Sequence, residues 1–274
     1  MAEAITGTAA AQDGCILAYR IYPNPGKPRL ALIHSLALGM GIWDESVDEL
    51  QRDFEILTYD CRGHGQSERR RGAYTVRLFA DDLAAILDHV GWPSTTIAGC
   101  SMGGCVAQAF GARYKDRAQS LALIDTTAWY GSSAPEEWRK RAAKAAEDGF
   151  PKMLPFQLSR WFSDNFLQGH AERVHALAQT FVANDVACYQ ASCALLGNMD
   201  LRSEISSIHV PVSVIVGEED YATPISMARD LHAAIPGSQL HVIAGGRHLT
   251  PVQCPREIAV LIKDLVRPAV TPHT

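Results

Sequence analysis

No stretch of this 274-residue sequence approaches the roughly 18 apolar residues of a membrane-spanning helix, so a helical span is not expected. Basic charge is also scarce. Lys and Arg number 25 against 30 Asp and Glu, and the formal net charge of −5 leaves no electrostatic footprint for nucleic acid. The seven cysteines (Cys15, Cys61, Cys100, Cys105, Cys188, Cys193 and Cys254) contain no C-x-x-C pair and are odd in number, which argues against both a disulfide framework and a zinc site. They are expected as buried thiols acting as small apolar groups. Internal repeats and low-complexity tracts are absent. The opening residues, Met1-Ala2-Glu3-Ala4-Ile5-Thr6-Gly7, have neither a basic n-region nor an apolar h-region, so a cytoplasmic location is the expectation.

What is present is an ordinary globular composition, 47% hydrophobic and 20% charged. A length of this order accommodates one or two domains and a core large enough to hold a rigid site. Apolar, β-branched runs at 15–22, 29–34, 54–60, 96–100 and 121–125 read as strands, with helical spacing at 45–52, 78–90 and 106–114 between them. That alternation predicts a parallel sheet covered on both faces. From about Thr126 to Ser206 only helical patterns occur, rich in tryptophan and phenylalanine. Strands resume at 212–216 and 240–243, and a helix from Pro255 to Val266 follows. The predicted architecture is α/β: a mostly parallel sheet flanked by helices, formed by residues 1–125 and 207–274. Residues 126–206 are expected to be a helical lid inserted between late strands, and the tail from Pro268 to Thr274 is expected to fray.

The chemistry centres on Gly99-Cys100-Ser101-Met102-Gly103, which fits G-x-S-x-G between an apolar strand and a helix. A serine between two glycines at a strand-to-helix turn is held in a strained conformation, because side chains beside it would clash. The following helix N-terminus favours developing negative charge. A serine hydroxyl is a poor nucleophile at neutral pH and needs a base within hydrogen-bond reach. His248, after the final strand, is the candidate base. Asp220, after the strand before, is the candidate orienting acid, with Glu218, Glu219 and Asp125 as rivals. An oxyanion hole needs two backbone N–H groups, for which Met102 and Leu36 are the candidates. Cys100 is expected to face away from the site, and His34 and His64 to be structural.

Around those residues the chain resembles 3-oxoadipate enol-lactonases of the α/β-hydrolase superfamily. The resemblance rests on Ser35-Leu36 leading to Trp43-Asp44, on 59–67 (YDCRGHGQS), on the elbow, on 125–128 (DTTA), on 138–141 (WRKR), on 160–162 (RWF) and on 220–224 (DYATP). It implies the α/β-hydrolase fold with an eight-stranded sheet, and cofactor-free opening of a small lactone by acyl transfer in aromatic catabolism. It also implies a substrate carboxylate that needs a cation in the lid, for which Arg141 and Arg139 are candidates, with Trp138 and Trp161 as walls. The bland alternative places these arginines on a solvated face and the tryptophans in lid packing. The Glu68-Arg69-Arg70-Arg71 run is expected to be an exposed loop. Rival functions on the same residues are a general carboxylesterase, another lactonase, a C–C bond hydrolase or a perhydrolase. A serine at the elbow argues against carboxylate-nucleophile dehalogenases and epoxide hydrolases, and a non-catalytic ligand-binding scaffold is the rival of another class.

Overall fold

The computed structural model describes residues 3–266. Its strands are β1 (Ile5–Ala10), β2 (Ile16–Tyr22), β3 (Arg29–Ile33), β4 (Glu55–Tyr59), β5 (Thr95–Cys100), β6 (Ala118–Ile124), β7 (Val212–Gly217) and β8 (Gln239–Ile243). They form one eight-stranded sheet in the order β1-β2-β4-β3-β5-β6-β7-β8. Only β2 runs against its neighbours; every pair from β4 to β8 is parallel. The central strands β5 and β7 are buried along their whole length, as a parallel strand covered on both faces must be.

Helices α1 (Asp44–Leu50), α2 (Val76–His89) and α3 (Met102–Arg113) connect the early strands. Thr75 starts α2 where its side chain accepts from Leu78 N–H at 3.0 Å, satisfying one of the unpaired N–H groups of the first turn. Between β6 and β7 the chain forms α4 (Ala134–Asp148), α5 (Phe150–Trp161), α6 (Asp164–Gly169), α7 (Ala171–Val182) and α8 (Val186–Asn198), with no named strand among them. This is the stretch in which the sequence lost its strand pattern. The chain then continues through α9 (Ile225–Ala234), α10 (Thr250–Gln253) and α11 (Pro255–Val266). The expected fraying of residues 268–274 lies outside the described residues.

Parallel pairing decides where the chemistry gathers. Cys100 pairs with Ile124, Ile124 with Ile215 and Gly217 with Ile243, so β5 to β8 end along one edge of the sheet. The segments leaving those ends carry Ser101, Asp125, Asp220 and His248. No helix among the described residues is long and apolar enough to cross a membrane.

Candidate active site

Ser101 sits between the last residue of β5 and the first of α3 with φ 55° and ψ −115°, a region an L-residue enters only under strain. The two glycines of the motif permit it. A Cβ on Gly99 would collide with the Gly103 carbonyl, and one on Gly103 would collide with the Ile33 carbonyl of β3. The serine side chain does not cap its helix, so its hydroxyl is free for another partner.

That partner is His248. Its Nε2 lies 2.9 Å from Ser101 Oγ, and its Nδ1 lies 2.8 Å from Asp220 Oδ2. Asp220 is fixed by three further donors: Ala222 N–H and Thr223 N–H reach Oδ1 at 2.7 and 2.9 Å, and Thr223 Oγ1 donates to Oδ2 at 2.8 Å. Burial pushes the Asp220 carboxyl up, but the facing imidazole and the Thr223 donors outweigh it and hold the group below the usual carboxylate range. An ionised Asp220 accepts only, which assigns the proton to Nδ1 of a neutral His248 and leaves Nε2 to accept from the serine. The loop carrying His248 is tied down in turn: His248 N–H and Leu249 N–H donate to the carbonyls of Arg160 and Trp161 at the end of α5.

The rival acids lie elsewhere. Glu218 accepts from Gly245 N–H, and Glu219 pairs with Arg247 at 3.4 Å. Asp125, fully buried, does not bond His248. Its Oδ1 accepts from Gly217 N–H at 3.0 Å, and its Oδ2 accepts from Thr250 N–H at 3.0 Å and Thr250 Oγ1 at 2.6 Å. It therefore joins the turn leading to Asp220 to the turn following His248. Burial and the neighbouring Asp220 push its carboxyl well up. Cys100 is fully buried, its thiol raised far above the ordinary range by burial, and its Sγ lies 3.9 Å from the His248 carbonyl oxygen. It presents no thiolate.

Met102 is the first residue of α3, where the N–H has no intrahelical acceptor, and Leu36 lines the same cavity as Ser101. The loop carrying Leu36 is held by His34, whose Nδ1 donates to Ser35 O at 2.7 Å while Nε2 accepts from Cys61 N–H at 2.9 Å. His64 lies against it, ring centroids 5.1 Å apart, with Nδ1 on the Arg62 carbonyl. Burial lowers His34 to about 4 and His64 to about 3. Both hold the framework in neutral form.

Ser101 and His248 open onto a cavity of ≈ 40 Å³ whose far side is formed by Tyr130, Trp138, Arg141, Gln157 and Arg160. Trp138 and Arg141, three apart on α4, share a face at 60° separation, and the guanidinium lies 5.1 Å from the indole centroid. Arg139, turned about 100° away, is exposed and paired with Glu136. The expectation of a substrate wall at Trp161 is corrected. Trp161 is 4% exposed, packs edge-on against Phe181 and Phe162, and lines neither this cavity nor the cleft outside it. One residue of helix rotation separates it from Arg160, which does face the cavity and which the sequence reading did not single out for binding. Tyr130 was missed as well; it follows β6 in an irregular stretch with no motif to flag it.

Arg141 and Arg160 are both half-buried, and neither forms an ion pair among the described residues. Arg141 donates to two neutral groups, Tyr189 Oη at 2.8 Å and Gln157 Oε1 at 2.9 Å. Arg160 rests over the Phe156 ring at 5.3 Å. Burial, and then the charge of Arg141, lower the Arg160 guanidinium from its ordinary value.

Sheet order, strained elbow serine and the histidine after the last strand define the chain as an α/β-hydrolase. The alpha/beta hydrolase fold family matches residues 28–253, and the chain belongs to it. Among characterised proteins it is similar to 3-oxoadipate enol-lactonase 2 of Acinetobacter baylyi, 28% identical over 249 residues that cover 91% of this chain and 92% of that one. The same organism's 3-oxoadipate enol-lactonase 1 is 26% identical over 256 residues, covering 93% and 95%. Among solved structures, an enol-lactonase from Burkholderia xenovorans superposes with a TM-score of 0.90 at 30% identity, covering 95% of this chain and 99% of that one. A malate-bound thermophilic esterase from Thermogutta terrifontis gives 0.87 at 28% identity, covering 97% and 98%.

Proposed function

We propose that the chain is a serine hydrolase that opens a carboxylate-bearing enol-lactone, 3-oxoadipate enol-lactone being the reference substrate, through an acyl-enzyme formed on Ser101. One observation carries the substrate class. Two guanidiniums, Arg141 and Arg160, border the cavity of the nucleophile, and neither forms an ion pair with a carboxylate among the described residues. Bringing two like charges together in a partly desolvated place is unfavourable unless a third group of opposite sign completes the set. A substrate carboxylate is that group, and it distinguishes a lactone acid from the neutral ester of a general carboxylesterase. The similarity to two enol-lactonases points the same way.

In this reading Ser101 Oγ attacks the lactone carbonyl carbon and its proton passes to His248 Nε2, 2.9 Å away. The oxyanion is taken by the N–H groups of Met102 and Leu36. The ring C–O bond breaks, and the enol oxygen leaves with the proton from His248. Water then attacks the serine ester with His248 as base, releasing the acid and restoring Ser101. Asp220, 2.8 Å from Nδ1, keeps the imidazole in the tautomer that can accept and stabilises its charged form. Residues 126–206 act as the cap that supplies the arginines, and Trp138 is the wall beside Arg141. Turnover of 3-oxoadipate enol-lactone, followed by loss of its ultraviolet absorbance beside p-nitrophenyl esters, tests the reading. Fast lactone and feeble ester turnover support it, and the reverse order moves the protein to the esterase alternative.

A further inference from the structure

The ≈ 40 Å³ cavity at Ser101 has space for about three waters, the size of a reacting ester group and little more. Anything beyond that group must extend past the residues that border both this cavity and a cleft of ≈ 690 Å³ outside it, Arg141 and Arg160 among them. That volume lies within the roughly 300–1,000 Å³ of pockets that enclose a whole drug-sized ligand. A small furanone acid, with its ester group at Ser101 and its carboxylate at the arginines, would leave most of the cleft vacant.

One part of the cleft wall is apolar. Met153, Phe156, Tyr221, Pro224 and Met227 line it. Among the described residues, the two large aromatic side chains left mainly exposed are Phe156 and Tyr221, at 59% and 63%, and both lie in this cleft. Each is covered on one face by a guanidinium: Arg160 over Phe156 at 5.3 Å and Arg247 over Tyr221 at 5.5 Å. Exposed apolar surface gathered in one groove, unlike apolar side chains scattered singly, marks a surface that a ligand can cover. Three lysines, Lys140, Lys144 and Lys152, also reach the cleft, but they are already partnered. Lys140 pairs with Glu136, and Lys144 and Lys152 with Asp148. The lysines of the rim are thus already ion-paired, and the two unpaired guanidiniums of the cleft, Arg141 and Arg160, stand at its border with the Ser101 cavity.

We infer that the substrate carries a third part, an apolar alkyl or aryl arm that lies in this cleft beyond the carboxylate. The inference rests on the lactone-opening reading of Ser101 and names a substituted, bulkier member of that class.

The test compares 3-oxoadipate enol-lactone with analogues bearing a methyl, butyl or benzyl group on the carbon between ring and carboxylate. Each fully buried methylene contributes about fourfold, and a half-open cleft about half of that in free energy, so the butyl analogue gains on the order of tenfold in kcat/KM over the parent. In Met227→Gln and Phe156→Ser the ratio of butyl to parent kcat/KM falls toward one, whatever happens to the parent rate. Ser101-dependent turnover of the parent with no gain for any arm, or a gain that both variants retain, overturns the inference and leaves the reaction reading intact. Absence of Ser101-dependent turnover for parent and analogues alike overturns the reaction reading itself.

Discussion

Replacing Arg160 with glutamine separates substrate recognition from structure. The side chain borders the Ser101 cavity, forms no ion pair among the described residues, and shares its surroundings with Arg141. A hydrogen bond to a charged group contributes about 1.5–3 kcal/mol. A loss of about 2 kcal/mol corresponds to about 30-fold in kcat/KM. The discrimination between a lactone acid and a neutral p-nitrophenyl ester should therefore fall about 30-fold in Arg160→Gln. Stability moves the other way. The folded state disfavours this charge through burial and through Arg141, so the neutral variant should melt at the same temperature as the parent or higher. The assay is a pair of progress curves, one per substrate, beside a thermal melt. Equal losses on both substrates, or a clear drop in melting temperature, would refute the reasoning, because either would make Arg160 part of the framework.

Asp125→Asn replaces one of the two acceptor oxygens that tie Gly217 to Thr250 with an amide that donates. Displacement of the loops that carry Asp220 and His248 should lower kcat by about 10- to 100-fold with KM little changed, and Thr250→Val should lower it in the same direction by less. Asp220→Asn leaves the shape but presents a donor or a weaker acceptor to His248 Nδ1, for a loss on the order of 10³–10⁴ in kcat. Stability should fall with acid. His34 is held at about 4 against 6.5 unfolded, so between those values the unfolded chain binds the proton that the folded one refuses. Stability is full above about pH 6.5 and declines down to about pH 4, by roughly 3 kcal/mol from this ring, which thermal melts across that range should register as a steady fall. Gly103→Ala puts a methyl group onto the Ile33 carbonyl and should not yield folded protein in a solubility and circular dichroism assay.

The parallel core was legible because β3, β5, β6 and β7 are apolar runs long enough to be told from helix by their β-branched content and flanking turns. β1 was not, because Ile5–Ala10 is an edge strand with most of its residues outside the core and no alternation to betray it. Ser101, Asp220 and His248 could be placed in sequence because strand ends fix their positions, and the structure brings His248 within hydrogen-bond reach of both Ser101 and Asp220. Residues 126–206 resisted for the opposite reason. There helices pack on helices, and a rotation of about 100° decides whether a side chain meets substrate or core. Arg160 and Trp161 are neighbours in sequence with opposite fates, and no period in the chain distinguishes them before the helices are docked. Arg139 and Arg141 show the same division, one in solvent and one at the cavity.

The central claim is that Ser101 is the nucleophile of an acyl transfer on a carboxylate-bearing lactone. The most direct test is hydrolysis of 3-oxoadipate enol-lactone by the intact chain and by Ser101→Ala. The account predicts rapid loss of the lactone absorbance with the intact chain and a fall of about 10⁴–10⁶ in rate for the variant. A variant that retains the parent rate would contradict it.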